Sequence, residues 1–232
     1  MFCYSVDKMP ILNDISGSFF KEKITTLVGP SGSGKTTLLK MCNGLISQTS
    51  GEIFIEAEPI DSIEPTSLRK SIGIVLQNAP IIQETVFDNI ALPYTLQEKI
   101  LTEKDAISFL EIVGLDHTFL YRQAKDLSGG QKQKLSIARS LVNNPKILLL
   151  DEITSALDPT SVNEIEQLIL NLNQHSRVTI VWITHNIEQA KRIGDFTWIL
   201  MNGQLVQSGK SDILTASSNE QIQQFVKGVQ EI

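Results

Sequence analysis

The chain has 232 residues, 41% of them hydrophobic and 20% charged, with a formal net charge of −6. That length suits one domain with a full core, and an acidic balance without a Lys/Arg-rich block argues against nucleic acid as the main partner. No apolar run approaches the roughly 18–20 residues needed to cross a bilayer. The first residues lack the basic and apolar regions of a signal peptide, and Cys3 and Cys42 suggest neither a disulfide framework nor a metal site, so a cytoplasmic compartment is expected.

Residues 1–23 carry short β-like pieces, with Ile11, Leu12 and Ile15 apolar. Tyr4 is the residue to watch here, and it reads equally as a functional aromatic and as an ordinary surface or core one. Residues 24–28 are β-branched and apolar, a buried strand. They run into Gly29-Pro30-Ser31-Gly32-Ser33-Gly34-Lys35-Thr36-Thr37. Gly29, Gly34, Lys35 and Thr36 fill G-x-x-x-x-G-K-[ST], and residues 36–45 continue with apolar residues at helical spacing. Strand, glycine loop and helix together form a phosphate-binding loop. Glycines let consecutive N–H groups turn toward an anion, and the helix start adds its dipole. Lys35 is placed to neutralise the β- and γ-phosphates of a nucleoside triphosphate, and the Thr36 hydroxyl to bind Mg²⁺.

Further along, residues 51–60 read as a strand and turn, 68–70 as a short helix, and 72–76 as a strand ended by Gln77. From about 85 to 143 the pattern is helical. A first helix over 85–92 is expected to stop at Pro93. A second is capped by Thr102, with Asp105 three positions on and Gly114 at its end. A third starts near Ser128 with Leu135, Ala138 and Val142 on one face. Residues 146–151 form a strand closing on Asp151 and Glu152. Asp158 and Pro159 open a helix with Val162, Ile165, Ile169 and Leu172 as its buried stripe. A strand over 178–184 leads to His185 and a short helix. Residues 196–207 read as a hairpin turning at Asn202-Gly203, and 211–227 as a polar helical tail.

At the end of an apolar strand, Asp151 suits Mg²⁺ and Glu152 suits polarising a water; the pair also suits a solvated strand end. Ser128, Gly129 and Gly130 begin a helix and so offer a second anion site; Ser128 also suits an ordinary N-cap.

Leu127-Ser128-Gly129-Gly130-Gln131 resembles the signature motif of the ABC (ATP-binding cassette) ATPases, and the other family motifs follow in order. Gln77 matches the Q-loop glutamine, residues 147–152 the Walker B strand with its catalytic glutamate, Ser155-Ala156-Leu157-Asp158 the D-loop, and His185 the switch histidine. Tyr4 stands where the family's aromatic residue stacks on adenine. The resemblance implies an α/β P-loop NTPase. Its RecA-like core with an antiparallel β subdomain would occupy 1–83 and 144–232, and an inserted helical subdomain 84–143. It also implies ATP and Mg²⁺, with Glu152, His185 and Gln77 at the reaction and Thr36, Gln77 and Asp151 at the metal. ATP would be bound by Tyr4, by Gly29 through Thr37, and by Ser128, Gly129, Gly130, Gln131 and Asp158, the signature residues acting across a head-to-tail homodimer. The implied role is ATP hydrolysis for a separate integral membrane transporter subunit, on the cytoplasmic face of the cell membrane. Ile153 departs from the usual Pro after the two acids. With Val86-Phe87-Asp88-Asn89 and Pro93, the stretch from Asp151 to Asp158 resembles the bacterial iron-export (FetA-like) subgroup; phosphate or amino-acid uptake is the alternative. A soluble role in DNA repair or translation would bring a coiled-coil insertion or a second cassette, and neither is found. A sensing module without turnover fits poorly with Glu152 and His185.

Overall fold

A computed structural model describes residues 2–6, 9–78, 80–81 and 84–230. For 2–6, 9, 10, 229 and 230 it describes the backbone alone. Strands β1 (Phe2–Val6) and β2 (Met9–Ile15) pair antiparallel, and β3 (Ile24–Val28) leads into helix α1 (Lys35–Cys42). The two-residue strands β4 (Phe54–Ile55) and β5 (Glu58–Pro59) precede α2 (Pro65–Ser71) and β6 (Ile72–Val75). Three helices follow, α3 (Val86–Thr95), α4 (Glu103–Ile112) and α5 (Gly129–Leu141), then β7 (Ile147–Asp151). After these come α6 (Pro159–Ser176), β8 (Thr179–Ile183), α7 (Ile187–Ile193), β9 (Phe196–Met201), β10 (Gln204–Lys210), α8 (Ile213–Ala216) and α9 (Glu220–Gln230).

The main sheet has the order β10-β9-β3-β8-β7-β6, parallel except for β10. Strands β3 and β8 are buried at every position. That is the pattern of a parallel sheet covered on both faces, where strands read as continuous apolar runs rather than alternating ones. Register across the sheet is even: Leu27 lies opposite Ile183, and Ile183 opposite Asp151. The carboxyl ends of β3, β8 and β7 therefore stop at one level. One core packs α5 and α6 against Leu148, Leu150 and Trp182, and another packs α1 against Leu149, Val181 and Ile183.

Local chemistry explains most boundaries. Thr85 caps α3 in a full capping box with Asp88, and Asp158 caps α6 by accepting from the Ser161 N–H at 3.0 Å. Asn202 and Gly203 have φ of 50° and 74°, the two positive values that a tight hairpin turn needs. Thr102 caps α4, but the Asp105 carboxylate accepts from the Thr102 hydroxyl and not from its backbone N–H.

Three expectations need correction. Helix α3 runs through Pro93 to Thr95. A proline inside a helix costs about 3 kcal/mol. Here burial of Val86, Ile90 and Ala91 holds the helix in place, and the Thr95 hydroxyl and Gln97 amide donate to the carbonyls of Ala91 and Pro93. The tail is two helices, and it is not polar all round. Leu214, Ile222 and Val226 pack against Val28, Ile187 and Ile199. The expected helix at 68–70 begins earlier, at Pro65, because the Glu64 carboxylate accepts from the N–H groups of Thr66 and Ser67 at 2.9 and 2.7 Å.

Those two charge-assisted bonds hold the exposed Glu64 carboxyl down to about 2, from an ordinary 4.5. A carboxyl depressed in the folded state adds stability above its unfolded pKa and loses it as pH falls toward the folded value. Glu64→Gln is therefore expected to lower the thermal midpoint at pH 7. The gap to the wild type should begin to close below about pH 4.5 and shrink toward pH 2, as measured by circular dichroism melts across that range.

Candidate active site

In an open α/β sheet, ligands bind outside the carboxyl ends of the strands. Here the level at which β3, β8 and β7 stop gathers the loop 29–34 from β3, His185 from β8, and Asp151 and Glu152 from β7. Gln77 follows β6, the neighbour of β7.

The loop between β3 and α1 is shaped by what its glycines must avoid. Gly29 has a φ of 149°, and a Cβ there would stand 1.9 Å from the Leu200 carbonyl oxygen on β9. Gly34 has a φ of 94° and caps α1 with no side chain, so the first-turn N–H groups of α1 have no side-chain oxygen at their cap. Ser33 and Lys35 are buried, while Pro30, Ser31 and Gly32 are exposed. Lys35 Nζ donates to the Gly29 and Pro30 carbonyls, each at 2.9 Å. Burial lowers its pKa, and the carboxylates of Glu152 and Asp151 act against that fall. A buried ammonium held by neutral carbonyls is a strong site for phosphate oxygens. Thr37 is half-buried one position beyond Thr36.

The Thr36 hydroxyl donates to Asp151 Oδ1 at 3.0 Å. Burial raises the Asp151 carboxyl, with the Thr36 bond opposing. Thr36 and Asp151 thus bring two hard oxygen donors together. Among the described residues no group of three or more His, Cys, Asp or Glu side chains could cage a metal. One carboxylate and one hydroxyl, completed by substrate phosphates and water, is the donor set that suits Mg²⁺, so the residues fit that ion.

Glu152 adopts a φ of 50°, a left-handed backbone that costs about 1–3 kcal/mol for a non-glycine residue. Its N–H donates to the Ile183 carbonyl, and its Oε1 accepts from His185 Nε2 at 2.6 Å. The strained backbone aims the carboxylate at the end of β8. Gln77 Nε2 donates to Ser155 Oγ at 3.0 Å, and Ser155 Oγ donates to the Glu152 carbonyl at 2.9 Å. Sequence reasoning missed this role of Ser155, since nothing in its turn shows that Gln77 lies within reach.

Ser128 and Gln131 form a capping box on α5: the Ser128 N–H donates to Gln131 Oε1 at 2.9 Å, and the Gln131 N–H to Ser128 Oγ at 3.3 Å. Gly130 lies hard against α6, where a Cβ would stand 2.6 Å from Ser161 Oγ. Asp158 accepts from the Ser161 hydroxyl at 2.6 Å, which holds its pKa low. Residues 29–37 join β3 to α1 and residues 128–131 open α5, so one chain carries two such helix starts. Tyr4 is placed by its backbone in β1, opposite Leu12; its side chain, expected on adenine, lies outside the described residues.

A family model described as "ABC transporter" matches residues 12–155. The chain belongs to the ABC transporter family. It is an ATP-binding subunit of the P-loop NTPase class, and its reaction is ATP hydrolysis. Among curated relatives, Bacillus subtilis YjkB, named as an ABC transporter ATP-binding protein, is 42% identical over 219 residues, covering 94% of this chain and 87% of that protein. The methionine import ATP-binding protein MetN of Campylobacter jejuni is 37% identical, covering 93% of this chain and 71% of that protein. Among solved structures, the dimeric post-hydrolysis state of the cassette MJ0796 bound to ADP and Pi superposes with a TM-score of 0.79 at 30% identity, covering 90% of this chain and 95% of that one.

Gly29→Ala is expected to push β3 away from Leu200 and to destabilise the fold by about 1–3 kcal/mol. Urea titration would read the loss of stability, and isothermal titration with ATP a matching fall in affinity.

Proposed function

We propose that this ABC ATP-binding subunit hydrolyses ATP with Mg²⁺ in a head-to-tail homodimer and drives a separate integral membrane subunit from the cytoplasmic face of the membrane. The observation that carries this reading is the gathering of Lys35, the Thr36–Asp151 pair and the His185–Glu152 pair at the carboxyl edge of one sheet. Lys35 and the N–H groups of the loop and of the start of α1 hold the phosphates. Thr36 and Asp151, together with Gln77, would hold Mg²⁺, which would supply charge neutralisation on the phosphate oxygens. Glu152 orients and polarises the attacking water, and His185 faces the γ-phosphate while fixing the Glu152 carboxylate. The N–H groups of Gly129 and Gly130, with Ser128, form an anion site at the start of α5 that meets the γ-phosphate bound by the other copy. Gln131 and Asp158, which shape the starts of α5 and α6 through their caps, complete the ATP-binding surface beside that anion site. Support for the pairing comes from the dimeric state of the relative bound to ADP and Pi. We take 84–143, which carries α3, α4 and α5, as the subdomain that meets the membrane subunit. Among the described residues no helix is long and apolar enough to cross a membrane.

Glu152→Gln is expected to keep ATP affinity and lower turnover by at least about a hundredfold, with an ATP-dependent dimer on size-exclusion chromatography. Ser128→Arg should still bind ATP as a monomer and fail to form that dimer. Near wild-type turnover in Glu152→Gln would remove it from its role.

For cargo we propose metal export, iron first, from the resemblance of the stretch from Asp151 to Asp158. Ile153 itself is 2% exposed and packed in the core beside α6, so it touches no cargo. Nutrient uptake is the second reading, favoured by the likeness to a methionine import protein. Deleting the gene should raise cell iron under peroxide stress. Unchanged iron with reduced uptake of a nutrient would favour the second reading.

A further inference from the structure

Behind the Glu152–His185 pair lies a buried polar chain that the motifs do not include. Thr154, Gln189 and Glu166 are 9%, 1% and 2% exposed. Thr154 Oγ1 lies 3.3 Å from both Gln189 Oε1, to which it donates, and Gln189 Nε2, from which it accepts, and Gln189 Nε2 donates to Glu166 Oε1 at 2.8 Å. Arg192 closes the far end with a fork, Nε to Glu166 Oε2 at 2.9 Å and Nη2 to Glu166 Oε1 at 2.7 Å. Every oxygen of the buried carboxylate is thereby satisfied.

A carboxylate in this position is costly unless fully paired, and an apolar side chain of similar size would suit the interface of α6 with α7 at least as well for stability alone. What the chain does instead is connect. Thr154 stands two positions after Glu152, in the turn that leaves β7. Gln189 sits in the first turn of α7, and its N–H donates at 2.9 Å to the side chain of Asn186, the residue after His185. The Asn186 N–H donates in turn to Thr184 Oγ1 at 3.0 Å. Gln189 is thus fastened by its backbone to the segment carrying His185 and by its side chain to the segment carrying Glu152. Glu166 and Arg192 fix the orientation of that amide, because a neutral amide facing a carboxylate must present its N–H₂ to it, and the Thr154 hydroxyl then meets the edge of the amide between its nitrogen and its oxygen.

We propose that Thr154, Gln189, Glu166 and Arg192 are positioning residues for ATP hydrolysis: a buried relay that holds the turn after β7 against the start of α7 and so sets the distance between His185 and Glu152. The proposal rests on the assignment of Glu152 and His185 to the reaction. It predicts an effect on turnover and not on nucleotide binding, since the phosphate loop and α1 hold none of the four residues. A displacement of about 1 Å at a reacting pair can cost up to a hundredfold in rate.

The test is steady-state ATPase kinetics on the full chain with Thr154→Val, Thr154→Ser, Gln189→Leu and the Thr154→Val/Gln189→Leu double variant, beside Glu152→Gln and His185→Ala. Thr154→Val and Gln189→Leu should each lower kcat about tenfold or more, with KM for ATP within about twofold of the wild type. Thr154→Ser, which keeps the hydroxyl, should restore kcat. The double variant should be no slower than the slower single variant, because both break one chain. ATP titration by fluorescence confirms that each variant is folded and loaded. Wild-type kcat in Thr154→Val and Gln189→Leu, with Glu152→Gln inactive, would overturn the relay alone. So would a Thr154→Ser variant as slow as Thr154→Val, effects that multiply in the double variant, or a KM that rises with the fall in kcat. Wild-type turnover in both Glu152→Gln and His185→Ala would overturn the catalytic assignment and the relay with it.

Discussion

Everything at this site depends on parallel strands that stop at one level. Leu27, Ile183 and Asp151 are register partners in turn, so the residues that follow them emerge side by side. A slip of β7 by one position would carry Asp151 about 3.3 Å along the sheet and turn it to the other face. Strands buried on both faces are apolar on both, so hydrophobic pattern alone does not forbid that slip. Backbone bonds beyond the strand ends guard against it instead. The Glu152 N–H meets the Ile183 carbonyl, and the Thr184 N–H meets the Leu27 carbonyl. At the opposite end the Thr179 N–H meets the Lys146 carbonyl. The segments that carry the chemistry are therefore also the clasps of the register.

The two helix starts differ in how their free N–H groups are managed. Helix α1 begins at a left-handed glycine with no side-chain cap and has a buried lysine in its first turn. Helix α5 begins with a full capping box, which occupies two donors and leaves the backbone of Gly129 and Gly130 to other partners. The first arrangement suits an anion drawn deep beside β3, the second one presented at a surface. A Cβ on Gly130 would press on Ser161, so the glycine is needed as much for packing α5 against α6 as for any ligand.

The strands, the phosphate loop and the caps were legible in the sequence because each rests on neighbours in the chain: apolar runs, glycines, and Ser, Thr or Asp before a helix. Pro93 misled because its local rule was overridden by burial of Val86, Ile90 and Ala91, which no local rule contains. The tail misled because Ile222 and Val226 are sparse among polar residues, and only the sheet beneath them makes them a face. Glu152 and His185 were each recognisable, while their 2.6 Å contact depends on the register of β7 with β8. Least legible were Glu166 and Gln189. The apolar stripe read for α6 leaves Glu166 out, and no motif singles out Gln189 on α7. Their burial arises from α6 and α7 facing each other, across a separation of 23 positions.

The order of strands has a consequence for how the protein is made. Strand β3, the base of the phosphate loop, has both of its neighbours, β8 and β9, in the last quarter of the sequence; Ile24 pairs with Ile180 and Thr25 with Phe196. On the ribosome, β3 and its apolar side chains leave the exit tunnel long before either partner exists. Contacts so distant in sequence close late and slowly. The nascent chain thus carries an unpaired apolar strand through most of its synthesis, the condition under which aggregation competes with folding. Its nucleotide loop takes shape only when the final strands arrive, so a chain truncated by early termination lacks the sheet that would seat the loop.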